Sequence, residues 1–95
     1  MPPQEILIRI REAVLEQQYA LSEHAYDEMD EDDLDALDVE SAILTGSIEK
    51  VLTHDPRGIR YVLVGTACDL RTSVGVVVRF VESGRLLVIT VYEIG

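Results

Sequence analysis

The stretch Ser73 to Glu93, "SVGVVVRFVESGRLLVITVYE", contains two runs of β-branched and aliphatic residues separated by Glu82-Ser83-Gly84. Runs of this composition form strands, and a short turn containing glycine joins two strands into a hairpin. Side chains alternate along a strand, so Arg79 marks one face of the first strand. The other face is wholly apolar: Val74, Val76, Val78 and Phe80. The sequence therefore predicts an antiparallel pair that supplies one side of a hydrophobic core.

Two further strands are predicted upstream of this hairpin. "SIEKVLTH" begins at Ser47 and "RYVLVG" begins at Arg60, and the turn sequence "DPRG" lies between them. Short connections of this kind favour an antiparallel meander of four strands. In the last strand, alternation separates two sets of residues: Leu86, Val88, Thr90 and Tyr92 against Leu87, Ile89 and Val91. The pattern leaves open which set shares the face of Arg79.

The first third of the chain is predicted to be helical. Residues 4–18 repeat apolar positions at helical spacing. Ser22 is a candidate N-cap for a second helix, and Asp38 for a third that ends at Gly46 in a left-handed conformation. The acids of residues 30–35 repel one another on adjacent turns, which favours a solvated turn. We therefore expect an α+β fold in which two to three N-terminal helices pack on a four-stranded antiparallel sheet.

Length and charge limit the classes of function. Ninety-five residues are enough for a single domain, residues 1–95. The formal charge of −10 repels phosphate backbones, which disfavours unaided binding to RNA or DNA. From Thr45 onward, however, six basic residues outnumber five acidic ones. A basic face on the sheet is therefore still compatible with the sequence.

The cellular setting is predicted from the N-terminus and the single cysteine. The first residues, "MPPQEILIRIREAV", have no long apolar run, so we expect neither a signal peptide nor a membrane span. Cys68 is alone, which excludes an internal disulfide and indicates a reducing compartment. The sequence predicts a cytoplasmic protein.

His24 is the candidate acid or base, because imidazole titrates near neutral pH. Arg60 and Arg79 interrupt apolar strands and are candidates to bind a phosphate through their planar guanidinium groups. Arg57 is a further candidate to bind substrate, as is Thr90 beside Tyr92, which could orient a substrate or donate a proton. Each of these residues also has a purely structural interpretation. His24 could be an ordinary histidine at a helix end, and the arginines could be surface residues paired with acids. Thr90 and Tyr92 could complete a strand edge.

No metal or cofactor site is predicted. A calcium loop starting at Asp30 would need an oxygen ligand at its fifth position and a glycine at its sixth, where Leu34 and Asp35 stand. A zinc site would need His24 and His54, and the sequence does not bring them together. The sequence contains no glycine-rich phosphate loop and no dinucleotide fingerprint.

Three segments together resemble domain-of-unknown-function family 4258, which is grouped with RelE-like and MqsR-like toxins. They are "SEHAYDEM", "DPRGIRYVLVG" and "GRLLVITVYE", and the resemblance covers Leu21 to Glu93. It implies a RelE-like plan of helices on a sheet. It also implies a metal-independent endoribonuclease without a cofactor, encoded beside an antitoxin. The candidate catalytic residues for that activity are His24, Arg60, Arg79 and Tyr92.

One position departs from the family pattern. The family carries an arginine where this chain has Glu28, and acids also follow Met29. An acid at this position weakens the positive field that a scissile phosphate needs. Two functions therefore stay open. The first is the endoribonuclease. The second is a catalytically inactive protein–protein interaction module that uses the acidic helical segment and an apolar sheet face. A homodimer through a sheet edge is compatible with either.

Overall fold

The computed structural model describes residues 3–95, which fold into three helices and five strands. The α+β class is therefore as predicted, whereas the predicted order of helices before strands is interrupted by β1, which lies between α1 and α2. In chain order the elements are α1 (Pro3–Leu15), β1 (Tyr19–Leu21), α2 (Glu23–Glu31), α3 (Ala36–Thr45), β2 (Ser47–Leu52), β3 (Arg60–Thr66), β4 (Ser73–Phe80) and β5 (Leu86–Ile94).

The sheet is mixed and has the strand order β1-β5-β4-β3-β2. Strands β2 to β5 form the predicted antiparallel meander. The prediction of four strands was wrong, because β1 pairs in parallel with β5 and adds a fifth. Its three residues are too few to show a two-residue period between two helices, so sequence patterning did not reveal it.

The first helix ends three residues earlier than predicted, at Leu15. Gln17 adopts a left-handed conformation with φ of 58°, which turns the chain into β1. The Tyr19 hydroxyl then donates a hydrogen bond to the Glu40 carboxylate on α3. Burial, followed by this carboxylate, raises the pKa of Tyr19 above its ordinary value. Strand β1 is thus anchored to the third helix.

Ser22 caps the second helix as predicted. Its Oγ accepts from the Ala25 amide at 3.0 Å, and Ala25 and Met29 are buried. The expected turn from residue 30 to residue 35 is shorter than predicted, because α2 continues through Glu31. The chain turns at Asp33, where φ is 55°.

The N-cap of the third helix is Asp35 and not Asp38 as predicted. The Asp35 side chain accepts from the Asp38 amide at 3.0 Å, and the Asp38 side chain accepts from the Asp35 amide at 3.1 Å. This is a reciprocal capping box in which Asp38 is the third helical residue. Gly46 is not left-handed, with φ of −92°. A Cβ there would lie 2.5 Å from the carbonyl oxygens of Ala42 and Val64, so close packing requires the glycine.

The core lies between the helices and one face of the sheet. Val74, Val76 and Val78 are fully buried on this face as predicted, and Phe80 packs at its margin. The helices contribute Ile10, Val14, Ala25, Val39, Ala42 and Ile43. Simple alternation fails in β5, because Val77 pairs with Thr90 whereas Val78 pairs with Val88. The bulge at Ile89 turns Val88 and Val91 to the core, and Thr90 and Tyr92 to the opposite, outer face.

Candidate functional site

The second helix is fixed against the outer edge of β5. The Ser22 amide donates to the Val88 carbonyl at 3.0 Å, and the Ser22 hydroxyl donates to the Ile89 carbonyl at 2.8 Å. The same hydroxyl caps the helix. His24, which stands in the first turn, is therefore positioned next to the bulged part of β5.

Glu28 holds both the strand edge and the imidazole. Its Oε1 accepts from the Val91 amide at 3.1 Å and lies 3.2 Å from His24 Nε2. One turn further along, Asp32 Oδ2 accepts from the Glu93 amide at 2.9 Å. Glu28 and Asp32 thus accept hydrogen bonds from β5 amides that β1 is too short to reach. Their i and i+4 spacing places them on the helix side that faces β5.

The His24 side chain is exposed to solvent beside a carboxylate. It is 66% exposed, while the Glu28 side chain is 22% exposed. Its Nε2 faces a carboxylate that is itself held in place by the Val91 amide, which restrains the orientation of the ring. Nδ1 is the ring nitrogen that does not face this carboxylate.

Arg60 and Arg79 lie on the outer face of the sheet, on adjacent strands. Tyr61 pairs with Val78, so in the same antiparallel register Arg60 lies across from Arg79. The Nε atoms of both are buried and have no hydrogen-bond partner among residues 3–95. Buried guanidinium nitrogens without an acceptor are unfavourable. The pair places positive charge on this face, and the Asp55 carboxylate, 3.5 Å from Arg60 Nε, offsets part of it.

Arg57 and Asp55 form a separate cluster in the loop that joins β2 to β3. The Asp55 carboxylate accepts from the Arg57 amide at 2.9 Å and from Arg57 Nε at 3.2 Å. These bonds, the amide first, lower the pKa of Asp55. Arg60 Nε is also 3.5 Å from Asp55 Oδ2. Arg57 is thus tied to an acid, which is the structural alternative considered from the sequence.

Tyr92 and Thr90 share the outer face with the two arginines. Tyr92 pairs with Gly75 and Thr90 with Val77. The Tyr92 ring lies directly over Gly75, where an added Cβ would be 2.2 Å from Tyr92 Cζ. Glycine at this position therefore lets the Tyr92 ring lie over β4.

The structure thus brings four of the six predicted residues onto one face. Arg60, Arg79, Thr90 and Tyr92 share it, whereas Arg57 binds Asp55 and His24 lies at the β5 edge. The same face has less exposed apolar surface than the sequence suggested, because Val62 and Val77 are only 8% and 9% exposed. Sequence reasoning missed Glu28 as the partner of His24, although their four-residue spacing was a usable signal.

The acids are concentrated away from this face. Thirteen of the eighteen precede Thr45, in or beside the three helices. Among residues 3–95, no helix has the length and apolar character that crossing a lipid bilayer requires. The same part of the chain also contains no group of three or more histidine, cysteine or acidic side chains placed to hold a metal ion.

The thiol of Cys68 lies apart from the outer face. It is exposed, and its amide donates to Asp38 Oδ1 at 3.0 Å. Partial desolvation and then the Asp38 carboxylate raise the pKa of Cys68. The neighbouring Asp69 contributes less to this increase in pKa than Asp38. A thiol with a raised pKa is a weak nucleophile at neutral pH.

The fold and the outer face define the class of protein. It is a small α+β domain with helices on one face of a mixed sheet and arginine, threonine and tyrosine side chains on the other. Residues 21–93 match the model of the family described as Domain of unknown function (DUF4258), and the chain belongs to that family. No curated protein and no solved structure matches the chain.

Proposed function

We propose that this protein is a RelE-like toxin that acts as a metal-independent endoribonuclease, with the outer sheet face as its RNA-binding surface. The observation that supports the proposal most is the pair Arg60 and Arg79, two cationic donors that lie opposite each other on adjacent strands, on a face that also carries Tyr92. RNA would supply phosphate oxygens to these donors, and a base could stack on the tyrosine ring.

In this proposal His24 is the general base. Its free Nδ1 takes the proton of a ribose 2′-hydroxyl, and the 2′-oxygen attacks the adjacent phosphorus. The bond between phosphorus and the 5′-oxygen then breaks, and the departing oxygen takes a proton from water. The products are a 2′,3′-cyclic phosphate and a free 5′-hydroxyl. Glu28 stabilises the imidazolium that forms and holds the ring in place.

The arginines would act on neighbouring phosphates. Strand β3 is two strand spacings, about 10 Å, from β5. Arg60 would therefore hold a phosphate beside the scissile one, while Arg79 on β4 lies nearer to the reaction. Both would position the RNA and offset its charge. Because the acids lie mainly on the helical side, the local field on this face opposes RNA less than the net charge of −10 suggests.

Growth of a bacterium that expresses the chain tests the proposal. We expect the wild type to arrest growth, His24→Ala to relieve the arrest, and His54→Ala to leave it unchanged. His54 is the matched control, because it is the other exposed histidine and lies in the β2–β3 loop. Co-expression of a cognate antitoxin should also restore growth. Unchanged growth of cells that express the folded wild-type protein would contradict the proposal.

A second function is favoured by the surface of α2. Glu28 and Asp32 are engaged with β5, but Asp27, Asp30 and Glu31 are exposed beside Tyr26, which is 54% exposed. This acidic surface with an aromatic ring fits a basic protein partner. If wild type and His24→Ala behave alike in cells while Asp27→Lys abolishes binding to a purified partner, the interaction module replaces the nuclease.

A further inference from the structure

The free edge of β2 is the part of the sheet to which the proposed function gives no role. Within residues 3–95, strand β2 ends the sheet and pairs only with β3. Each of its six residues is exposed or half-buried. An edge of this kind presents unpaired backbone donors and acceptors, which another strand can bind.

A bulge changes the side-chain alternation of β2. Ile48 lies opposite Leu63 and Val51 opposite Tyr61, so both face the core side of the sheet. Glu49 is the extra residue, because the register shifts between Ile48 and Lys50. Ser47 and Leu52 lie opposite Val64 and Arg60, on the outer side. Without the bulge, residues three or five apart would face opposite ways.

We propose that β2 pairs with β2 of a second copy of this chain, antiparallel, around a two-fold axis perpendicular to the sheet. Such an axis keeps each face of the sheet on the same side, so opposed residues must face the same way. The bulge satisfies this condition when Ile48 faces the partner's Val51 and Ser47 faces the partner's Leu52. Glu49 then lies against the partner's Lys50, and symmetry repeats every pair.

The charges favour this register over its neighbours. Moving one strand by one residue would place Glu49 against the partner's Glu49, or Lys50 against the partner's Lys50. Like charges directly opposite each other destabilise a strand pair, whereas opposite charges stabilise it. A bulge and charged side chains hinder pairing with an ordinary strand. In this register, however, the bulge and the charges of one copy match those of the second copy. The occupant that fits is therefore a second copy.

A groove beside β2 adds apolar area to the proposed dimer interface. It has a volume of about 180 Å³ and is lined by Gln4, Leu7, Ser47 and Ile48. Val51 is 46% exposed, and in the paired arrangement the partner's Val51 lies next to Ile48 at this groove. Burial of these side chains supplies a hydrophobic contribution that the backbone bonds alone do not.

The acidic surface does not oppose this dimer strongly. The helix α2 lies at the β5 edge, and β5 is three strand spacings, about 14 Å, from β2. Pairing through β2 therefore places the two acidic helices at opposite ends of a continuous ten-stranded sheet. At physiological salt such separations exceed the screening length of about 8 Å.

A charge-swap series measured by analytical ultracentrifugation tests the proposal. We expect a concentration-dependent dimer for the wild type, and weakening of about ten-fold for Glu49→Lys and for Lys50→Glu, each of which opposes like charges. The double variant Glu49→Lys with Lys50→Glu restores the opposite-charge pairs and should recover the dimer. Urea unfolding of each variant confirms that it is folded.

A second pair of variants tests the apolar contact. Val51→Lys should give a monomer, while Leu15→Lys should leave the dimer intact, because Leu15 is exposed at the far end of α1. A wild type that stays monomeric at every concentration would overturn the proposal, and so would a double charge swap that fails to recover the dimer. A dimer that is unaffected by all β2 variants would also overturn it.

Discussion

The two edges of the sheet differ in how far the chain covers their backbone groups. At the β5 edge, β1 covers Leu86 to Val88, and the Glu28 and Asp32 carboxylates accept from the next edge amides, those of Val91 and Glu93. At the other edge, β2 has only β3 as a neighbour. One edge is thus closed by the chain itself, and the other is available to a second strand.

This difference gives a role to the unusual acidity of α2. An exposed edge can be protected by charge, by a bulge or by covering it. Here the Glu28 and Asp32 carboxylates, four residues apart, accept hydrogen bonds from backbone amides of β5. Glu28 also lies beside His24 Nε2. The acids are therefore part of the fold at the β5 edge and, in the proposed function, part of the catalytic arrangement.

The largest effect is expected from removing the closure of the β5 edge. Glu28→Ala leaves the Val91 amide without its acceptor, so we expect a loss of about 2 kcal/mol in the free energy of unfolding. Hydrogen exchange at the Val91 amide should accelerate at the same time. Urea denaturation and exchange measured by NMR provide the two values.

Two variants control for this prediction. Glu31→Ala alters an exposed acid of the same helix and should change stability by less than about 0.5 kcal/mol. Glu28→Gln keeps an oxygen acceptor and should fall between the two. Equal losses for Glu28→Ala and Glu31→Ala would show that the β5 edge does not depend on the carboxylate.

A smaller effect, dependent on pH, is expected beside the β2 edge. The folded-state pKa of Asp55 is lowered, so its contribution to stability is complete above the unfolded value of about 3.9 and is lost as the pH falls through the folded value. Asp55→Asn should therefore destabilise the protein at pH 7 and make less difference at pH 3. Urea midpoints at both pH values measure this.

Asp27→Asn is the matched control for Asp55→Asn, because Asp27 is an exposed acid of α2 that lies away from the β2–β3 loop. Its difference from the wild type should be small at both pH values. If the two variants show the same pH dependence, the Arg57 bonds do not stabilise the loop beside β2.

Local patterns predicted the elements whose cause is local. The alternating run in β4, the Ser22 cap and the Glu82 to Gly84 turn depend on neighbouring residues, and all three are present. The bulge at Ile89 and strand β1 depend on partners that lie far along the chain. A hydrogen bond from Leu86 to Gln18, for example, links residues that no short sequence window contains.

The candidate site follows the same division. Arg60 and Arg79 were recognised because each interrupts an apolar run, a signal within one strand. That Arg60 lies across from Arg79 follows from the pairing of β3 with β4. From the sequence, Glu28 was expected only to weaken the positive field around a phosphate. Its role as the acceptor for the Val91 amide depends on a strand more than sixty residues away.

The most direct measurement of the central claim is cleavage of a labelled RNA by the purified protein in the presence of a metal chelator. We predict that the wild type and His54→Ala leave fragments ending in a 2′,3′-cyclic phosphate, and that His24→Ala leaves the RNA intact. Intact RNA with the folded wild type, or equal cleavage by His24→Ala, would contradict the assignment.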